Sequence, residues 1–188
     1  MNNLGAANPH DAIDNVYSQP RVEFRPLRLA DIPQLQQVLW PDHALDFVAD
    51  YLNNVLMQMA NGRALGLIAF AAGSALPDPV AYGQITRWPH IAEISDLIVT
   101  PAQRSHGIGA AIIAELIASA DRWGMTEIEI GAALSNPRAL ALYRRLGFHD
   151  ARTVLIDLGS GTEPVIYLTL SRATPHESDA PPSLSEAG

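Results

Sequence analysis

Arg104, Gly107 and Gly109 stand in the order R-x-x-G-x-G within the stretch TPAQRSHGIGAAIIAELI, Thr100 to Ile117. Glycine has a chemical use there, because without a Cβ the backbone N–H groups can approach a ligand closely. A helix starting at the glycines adds its N-terminal partial positive charge, and Arg104 adds a full one. Together these suit a diphosphate. Other readings share the glycines. The Walker phosphate loop needs G-x-x-x-x-G-K-[ST], and the chain has no lysine. The dinucleotide fingerprint needs G-x-G-x-x-G, and its third glycine is replaced here by Ile112. Glu127 and Glu129 do lie where the ribose-binding acid of that fingerprint belongs, but the preceding segments do not form βαβ units. The remaining alternative is a helix start that uses glycine only for close packing.

Composition narrows the partners. The 188 residues are 48% apolar, enough for one domain with a sizeable core. The net charge is −8, from 12 arginines and 20 acids. Residues 1–20 hold two acids and residues 173–188 three, with no base in either, so the middle carries only −3. An acidic body disfavours nucleic acid, whose phosphates need clustered positive charge, and is compatible with a cationic amine. No apolar run reaches the ~18 uncharged residues of a membrane helix. The first twenty residues lack the basic start and apolar block of a secretory signal. The absence of cysteine removes disulfides, cysteine-ligated zinc and a cysteine nucleophile, and fits a cytoplasmic protein. The histidines are scattered, with no H-x-x-x-H pair, so no metal site is expected.

The glycine stretch has to be positioned by its neighbours. Both ends read as disordered tails, 1–20 and 172–188, around a folded domain at 21–171. RVEFRPLR alternates like a strand, and Asp31 suits the cap of a short helix through Trp40. Leu45, Val48, Leu52, Val55 and Met59 recur at helical spacing, and Asn61-Gly62 ends that helix. ALGLIAFAA, VAYGQITRW and the β-branched IAEISDLIV read as three strands. A helix follows from Gly107 to Trp123, then a strand TEIEI. A helix NPRALALYRRL has Asn136 as cap and Pro137 at its first position, and two last strands flank a Gly-Ser-Gly turn. The order β-α-α-β-β-β-α-β-α-β-β predicts a mixed α/β domain.

In this order the chain resembles the GCN5-related N-acetyltransferase superfamily. Arg104-x-x-Gly107-x-Gly109 matches that family's Q/R-x-x-G-x-G/A signature and follows a strand ending in LIV and a proline. NPRALALYRRLGF, Asn136 to Phe148, is similar to the family's second acetyl-CoA segment, with an Asn opening a helix that carries a Tyr and ends in Gly-Phe. One departure is Ser105, where many members have glycine. The resemblance spans about 21–171. It implies the acyl-CoA N-acyltransferase fold: a mostly antiparallel sheet of about seven strands with about four helices, splayed between its two central strands.

The resemblance also implies chemistry. Acetyl-CoA would lie between the strands at 91–99 and 126–131. Its diphosphate would sit on the amides of Arg104, Ser105, His106, Gly107, Ile108, Gly109 and Ala110, and its pantetheine arm would pair with Leu97, Ile98 and Val99 like an added strand. Asn136 would reach the same arm. An amide near Leu97 or Val99 would stabilise the oxyanion. A primary amine, on a small molecule or a peptide, would attack directly, with Tyr143 as acid for the leaving thiolate. Candidate bases are Glu93, Asp96, Glu127 and Glu129. Strand alternation puts Glu93, Ser95, Leu97 and Val99 on one face and Ala92, Ile94, Asp96 and Ile98 on the other. Glu93 and Asp96 then cannot both face the acceptor unless a bulge intervenes. His90 and His106 are expected at the surface. Trp40, His43, Phe47, Tyr51 and Trp88 are candidate walls of the acceptor pocket. A homodimer is compatible with the family, and no nucleic acid or membrane partner is expected. An acyl-CoA sensor without turnover, and a dinucleotide-binding protein, are the alternatives.

Overall fold

The structure, a computed structural model, describes residues 22–71, 78–157 and 161–172. The tails expected at 1–20 and 172–188 lie outside these residues except for Arg172, as does most of the Gly-Ser-Gly turn. Arg172, assigned above to the C-terminal tail, is instead tied to the domain. Its N–H donates to the Thr126 carbonyl at 2.7 Å, and its guanidinium pairs with Asp121 at 2.9 Å.

The elements follow the expected order. They are β1 (Val22–Pro26), α1 (Ile32–Leu39), α2 (Leu45–Ala60), β2 (Ala64–Ala71), β3 (Pro79–Arg87), β4 (Ala92–Val99), α3 (Ile108–Arg122), β5 (Glu127–Ala133), α4 (Pro137–Arg145), β6 (His149–Asp157) and β7 (Thr162–Ser171). Gly62, Gly124 and Gly147, which end three of the helices, have φ of 67°, 70° and 92°, as a left-handed helix end requires. Asp31 stands at the expected cap position of α1, but its carboxylate turns back. It accepts two hydrogen bonds from Arg25, both at 2.7 Å, and one from the Arg28 N–H at 2.8 Å. The acid therefore fastens β1 to the 3-10 turn Leu29–Asp31 rather than capping the helix.

The strands form one seven-stranded sheet in the order β1-β2-β3-β4-β5-β7-β6. Among the described residues every pairing is antiparallel except β4 with β5. On one face α3 buries Ile112, Ile113 and Leu116 against Ile85, Ile94, Ile128, Ile130 and Leu168. On the other, α1 and α2 bury Leu35, Val48 and Leu52 against Ile68 and Tyr82. Truncating a fully buried leucine such as Leu52 costs about 2–5 kcal/mol at sites of this kind. Tyr82 fits beneath α1 and α2 because Gly66 lies next to it. A Cβ at Gly66 would stand 2.9 Å from the Tyr82 hydroxyl.

The two helix layers cover the faces of the sheet, and within it β4 and β5 pair only at Ala92↔Ile128, Glu93↔Glu129 and Ile94↔Ile130. Beyond these rungs β4 stays with β3 and β5 with β7, so the two central strands part. The resulting opening is the feature that positions the site.

Candidate active site

Asp96 breaks the alternation of β4. Its φ is +52°, in the left-handed region, and the β3–β4 register shifts there, from Gln84↔Ser95 to Tyr82↔Ile98. Asp96 and Leu97 together oppose Gly83, which is a β-bulge with an aspartate in the place usually taken by glycine. Aspartate tolerates that backbone better than most side chains. The bulge corrects the face assignment read from strict alternation. Leu97 and Val99 pack in the α3 core with Ile94, while Ile98 joins the α1–α2 core. Glu93, Ser95, Asp96 and Ile98 therefore share the α1–α2 face, and both candidate carboxylates face the same way.

That face is held by hydrogen bonds. Tyr51 on α2 donates its hydroxyl to Asp96 Oδ2 at 2.5 Å. Tyr82 donates to Gln84 Oε1 at 3.0 Å, and Gln84 Nε2 donates to Ser95 Oγ at 3.0 Å. The Trp88 indole N–H donates to Glu93 Oε2 at 2.9 Å. Trp40 packs edge-on to both Tyr51 and Tyr82. Burial, with the Asp96 charge next, pushes the Tyr51 and Tyr82 hydroxyls far above the ordinary tyrosine range, so both stay protonated donors. Phe47 stacks on His43 and stays exposed.

A cavity of about 310 Å³ opens at the point of divergence, lined by Glu93, Ser95, Asp96, Gly131, Ala132 and Tyr167 among others. Its size suits a small organic group. Glu129 is on the same side but engaged: Arg152 pairs with it at 2.7 Å and lies 3.9 Å from the centre of the Tyr167 ring. Burial raises the Glu129 carboxyl despite Arg152, with Glu93 and Glu127 pushing the same way. Glu127 is exposed at the start of β5.

The glycine stretch starts α3. Thr100 leads into the 3-10 turn Pro101–Gln103; Gly107, with φ of +81°, caps the helix, which begins at Ile108. Ser105 also has a positive φ, +67°. This explains glycine's frequency at that place, since a side chain costs about 1–2 kcal/mol there. Arg104 Nε donates to the Val99 carbonyl at 3.1 Å, drawing its side chain back along the end of β4. Arg138, in the first turn of α4, reaches across and donates from Nη2 to Ser105 Oγ at 2.7 Å. Asn136 caps α4 as expected, its Oδ1 accepting from the Ala139 N–H at 3.2 Å. His90 and His106 are exposed. The glycine stretch joins β4 to α3 and so lies within the parallel unit β4–α3–β5, which the chain enters from the antiparallel pair β3–β4. What speaks against the dinucleotide reading is Ile112, fully buried where the fingerprint needs its third glycine.

Tyr143 sits on the opposite side of the sheet, in the α3 core, with its ring 6.4 Å from that of Phe148. Burial pushes its hydroxyl up to about 12. Among the described residues the hydroxyl has no hydrogen-bond partner, and it is not sealed from solvent.

Residues 25–148 match the model of the Acetyltransferase (GNAT) family. The chain belongs to the GNAT family. It is an acetyl-CoA-dependent N-acetyltransferase. Aminoglycoside N(6')-acetyltransferase type 1 of Acinetobacter genomosp. 13 is 27% identical to it over 133 residues, 68% of this chain and 88% of the relative. Two solved structures share its fold. RimL, a ribosomal L7/L12 alpha-N-protein acetyltransferase in complex with coenzyme A, aligns with a TM-score of 0.70 at 14% identity, over 81% of this chain and 94% of that one. The ribosomal-protein-S18-alanine N-acetyltransferase from Escherichia coli aligns with a TM-score of 0.64 at 19% identity, over 84% and 97%.

Within this acetyltransferase, three site features escaped sequence reasoning. Tyr51 was placed as a pocket wall, not as a partner of Asp96. Arg138 and Arg152 were not singled out at all. The bulge had a signal: a lone aspartate in the β-branched run EISDLIV, where aspartate is depleted in strands and permissive of left-handed backbone. Arg138 had one too, because a cation in a helix's first turn opposes the helix dipole.

Proposed function

We propose that the enzyme transfers the acetyl group of acetyl-CoA to a cationic primary amine by direct attack in a ternary complex. The observation that carries this reading is the opening between β4 and β5 beyond Ile94 and Ile130, with carboxylates on one side of the sheet and Tyr143 on the other. The amides of Arg104 to Ala110 take the diphosphate, and Asn136 takes the pantetheine arm. The β5-facing edge of β4 from Leu97 to Val99, free of a strand partner, pairs with that arm. An amide near Leu97 or Val99 receives the oxyanion.

The ammonium of the acceptor is met by Glu93 and Asp96. Its proton passes to Asp96 or Glu93, and the nitrogen lone pair attacks the thioester carbonyl carbon. The tetrahedral oxyanion that forms then collapses with cleavage of the C–S bond, and the nitrogen gives its second proton to water. The sulfur leaves with the proton of the Tyr143 hydroxyl, which solvent restores. α4 follows the end of β5, and Gly147 just past it lies against Leu170, the partner of Ile128, so α4 runs back toward the β4–β5 rungs and Tyr143 lies about 7–8 Å down its axis from Arg138. Two carboxylates suit an acceptor with more than one positive charge, and the aminoglycoside acetyltransferase relative makes aminoglycosides the first compounds to try. A cytoplasmic location goes with the use of acetyl-CoA.

The test is an amine panel with acetyl-CoA: an aminoglycoside, spermidine, a lysine peptide and a peptide with a free N-terminal alanine. Thiol release is followed, and products are identified by mass spectrometry. Acetylation at a primary amine is expected with the polycationic small molecules. Acetyl-CoA binding with no product from any amine would overturn the reading.

A further inference from the structure

We infer that Arg138 is a phosphate-binding residue of the coenzyme site, a second cation at the loop beside Arg104. The inference rests on the acetyl-CoA reading of that loop. Three independent observations carry it.

Arg104 donates its Nε to the Val99 carbonyl at the end of β4 and keeps its charge. Arg138 reaches the loop as well. It comes from a separate helix, 33 positions along the chain, and its Nη2 lies 2.7 Å from Ser105 Oγ, between Arg104 and the helix cap Gly107. A hydroxyl partner leaves the positive charge uncancelled and four of the five guanidinium N–H donors free for phosphate oxygens.

Arg138 also lacks an anion. Arg25, Arg144, Arg152 and Arg172 each pair with a carboxylate; Arg138, like Arg104, has no carboxylate of the described residues within ion-pair distance. Its place in α4 is unfavourable for the helix alone. The first turn contains no acid to offset it, and a cation there faces the positive end of the helix dipole. A bound anion removes that cost. The middle of the chain, at −3, is also net negative, so a fixed cation at the loop helps draw in a polyanionic coenzyme.

Two phosphate groups of the coenzyme could be the partner: the diphosphate or the ribose 3'-phosphate. Titration calorimetry on the full chain with CoA and with dephospho-CoA tells them apart. Four variants are measured beside the wild type: Arg138→Ala, Arg138→Gln, Ser105→Ala and Arg145→Ala. Arg145 is an exposed arginine in the last turn of the same helix and controls for net charge. Arg138→Ala and Arg138→Gln are each expected to weaken CoA about tenfold, equivalent to ~1.4 kcal/mol, while Arg145→Ala stays within about twofold. An equal loss with dephospho-CoA assigns the diphosphate; a loss confined to CoA assigns the 3'-phosphate. Glutamine can keep a hydrogen bond to Ser105 without the charge. CoA affinity like wild type in Arg138→Gln would overturn the proposal, leaving Arg138 as a loop brace, and so would an equal loss in Arg145→Ala. Ser105→Ala is expected to lose less than Arg138→Ala; the reverse order would also overturn it. Because the readout is coenzyme binding, absence of amine turnover would leave this result intact.

Discussion

Tyr51, on the helix that covers one face of the sheet, donates its hydroxyl at 2.5 Å to the carboxylate of Asp96, the residue whose left-handed backbone makes the bulge of β4. One hydrogen bond therefore joins the acceptor side's helix layer to the strand expected to carry the thioester. It also fixes where a strained residue points its charge. Strain of this kind costs about 1–3 kcal/mol and persists only where the surroundings enforce it.

Removing that bond should affect turnover more than coenzyme binding. Tyr51→Phe is expected to lower kcat about tenfold, with KM for acetyl-CoA unchanged, because a bond to a charged group is worth about 1.5–3 kcal/mol. Asp96→Asn should cost more, about 10²-fold or greater, as loss of a proton acceptor does. Glu93→Gln should cost less than Asp96→Asn. Steady-state kinetics with the best amine of the panel checks the order. Equal losses at Glu93 and Asp96 would argue that they only hold the ammonium.

Tyr143→Phe should lower kcat about 10²-fold while leaving acetyl-CoA affinity nearly unchanged. Turnover like wild type would remove Tyr143 from the chemistry.

The same residue makes a pH prediction for stability. Burial raises the Tyr143 hydroxyl to about 12, against an unfolded tyrosine near 10. The folded chain then holds a proton that the unfolded chain releases. Its contribution is fully present below about pH 10 and is lost as pH rises toward about 12. Tyr51 and Tyr82 shift in the same direction and add to the loss. Denaturant midpoints should fall steeply above about pH 10, and less steeply in Tyr143→Phe. An equal fall in both proteins would contradict the assignment.

Gly107 and Gly109 should separate backbone need from ligand need. Gly107 has φ of +81°, so Gly107→Val adds about 1–2 kcal/mol of strain at the helix cap and crowds the amides; coenzyme binding should vanish while circular dichroism stays native. At Gly109 a Cβ would meet Leu142 Cδ2 at 3.4 Å, an ordinary contact. Gly109→Ala should therefore keep a wild-type melting temperature, and any loss of CoA affinity in it reports crowding of the ligand. Full CoA affinity in Gly107→Val would show that the glycines serve packing alone.

Asp31→Ala should destabilise the fold by about 2–4 kcal/mol, since it strands the partly buried Arg25 guanidinium and the Arg28 N–H. Burial raises the Asp31 carboxyl, but hydrogen bonds from Arg25 and the Arg28 N–H, with both arginine charges, outweigh it and hold the group below its ordinary value. Its stabilisation is present above about pH 4 and is lost as pH falls through the lowered value. Thermal melts from pH 7 downward should show the variant losing less stability than wild type in acid.

The order of elements, the helix ends at Gly62, Gly124 and Gly147, and the family were legible from residue types and spacing, because each rests on a local rule. Period-two and period-3.6 patterns set strands and helices, and the glycine loop and the Asn136 helix are two short local signatures in a fixed order. Non-local pairing was not legible. The strand reading separated Glu93 from Asp96, because alternation holds only until a bulge resets it. That bulge shows itself in the register of β3 against β4. Likewise Arg138 meets Ser105, and Tyr51 meets Asp96, only once the helices are docked on the sheet. By itself the sequence determined what the chain belongs to and which loop is the candidate for phosphate. The tertiary structure decided which charges stand together, because long side chains from distant elements meet according to sheet register and helix placement, which no local spacing encodes.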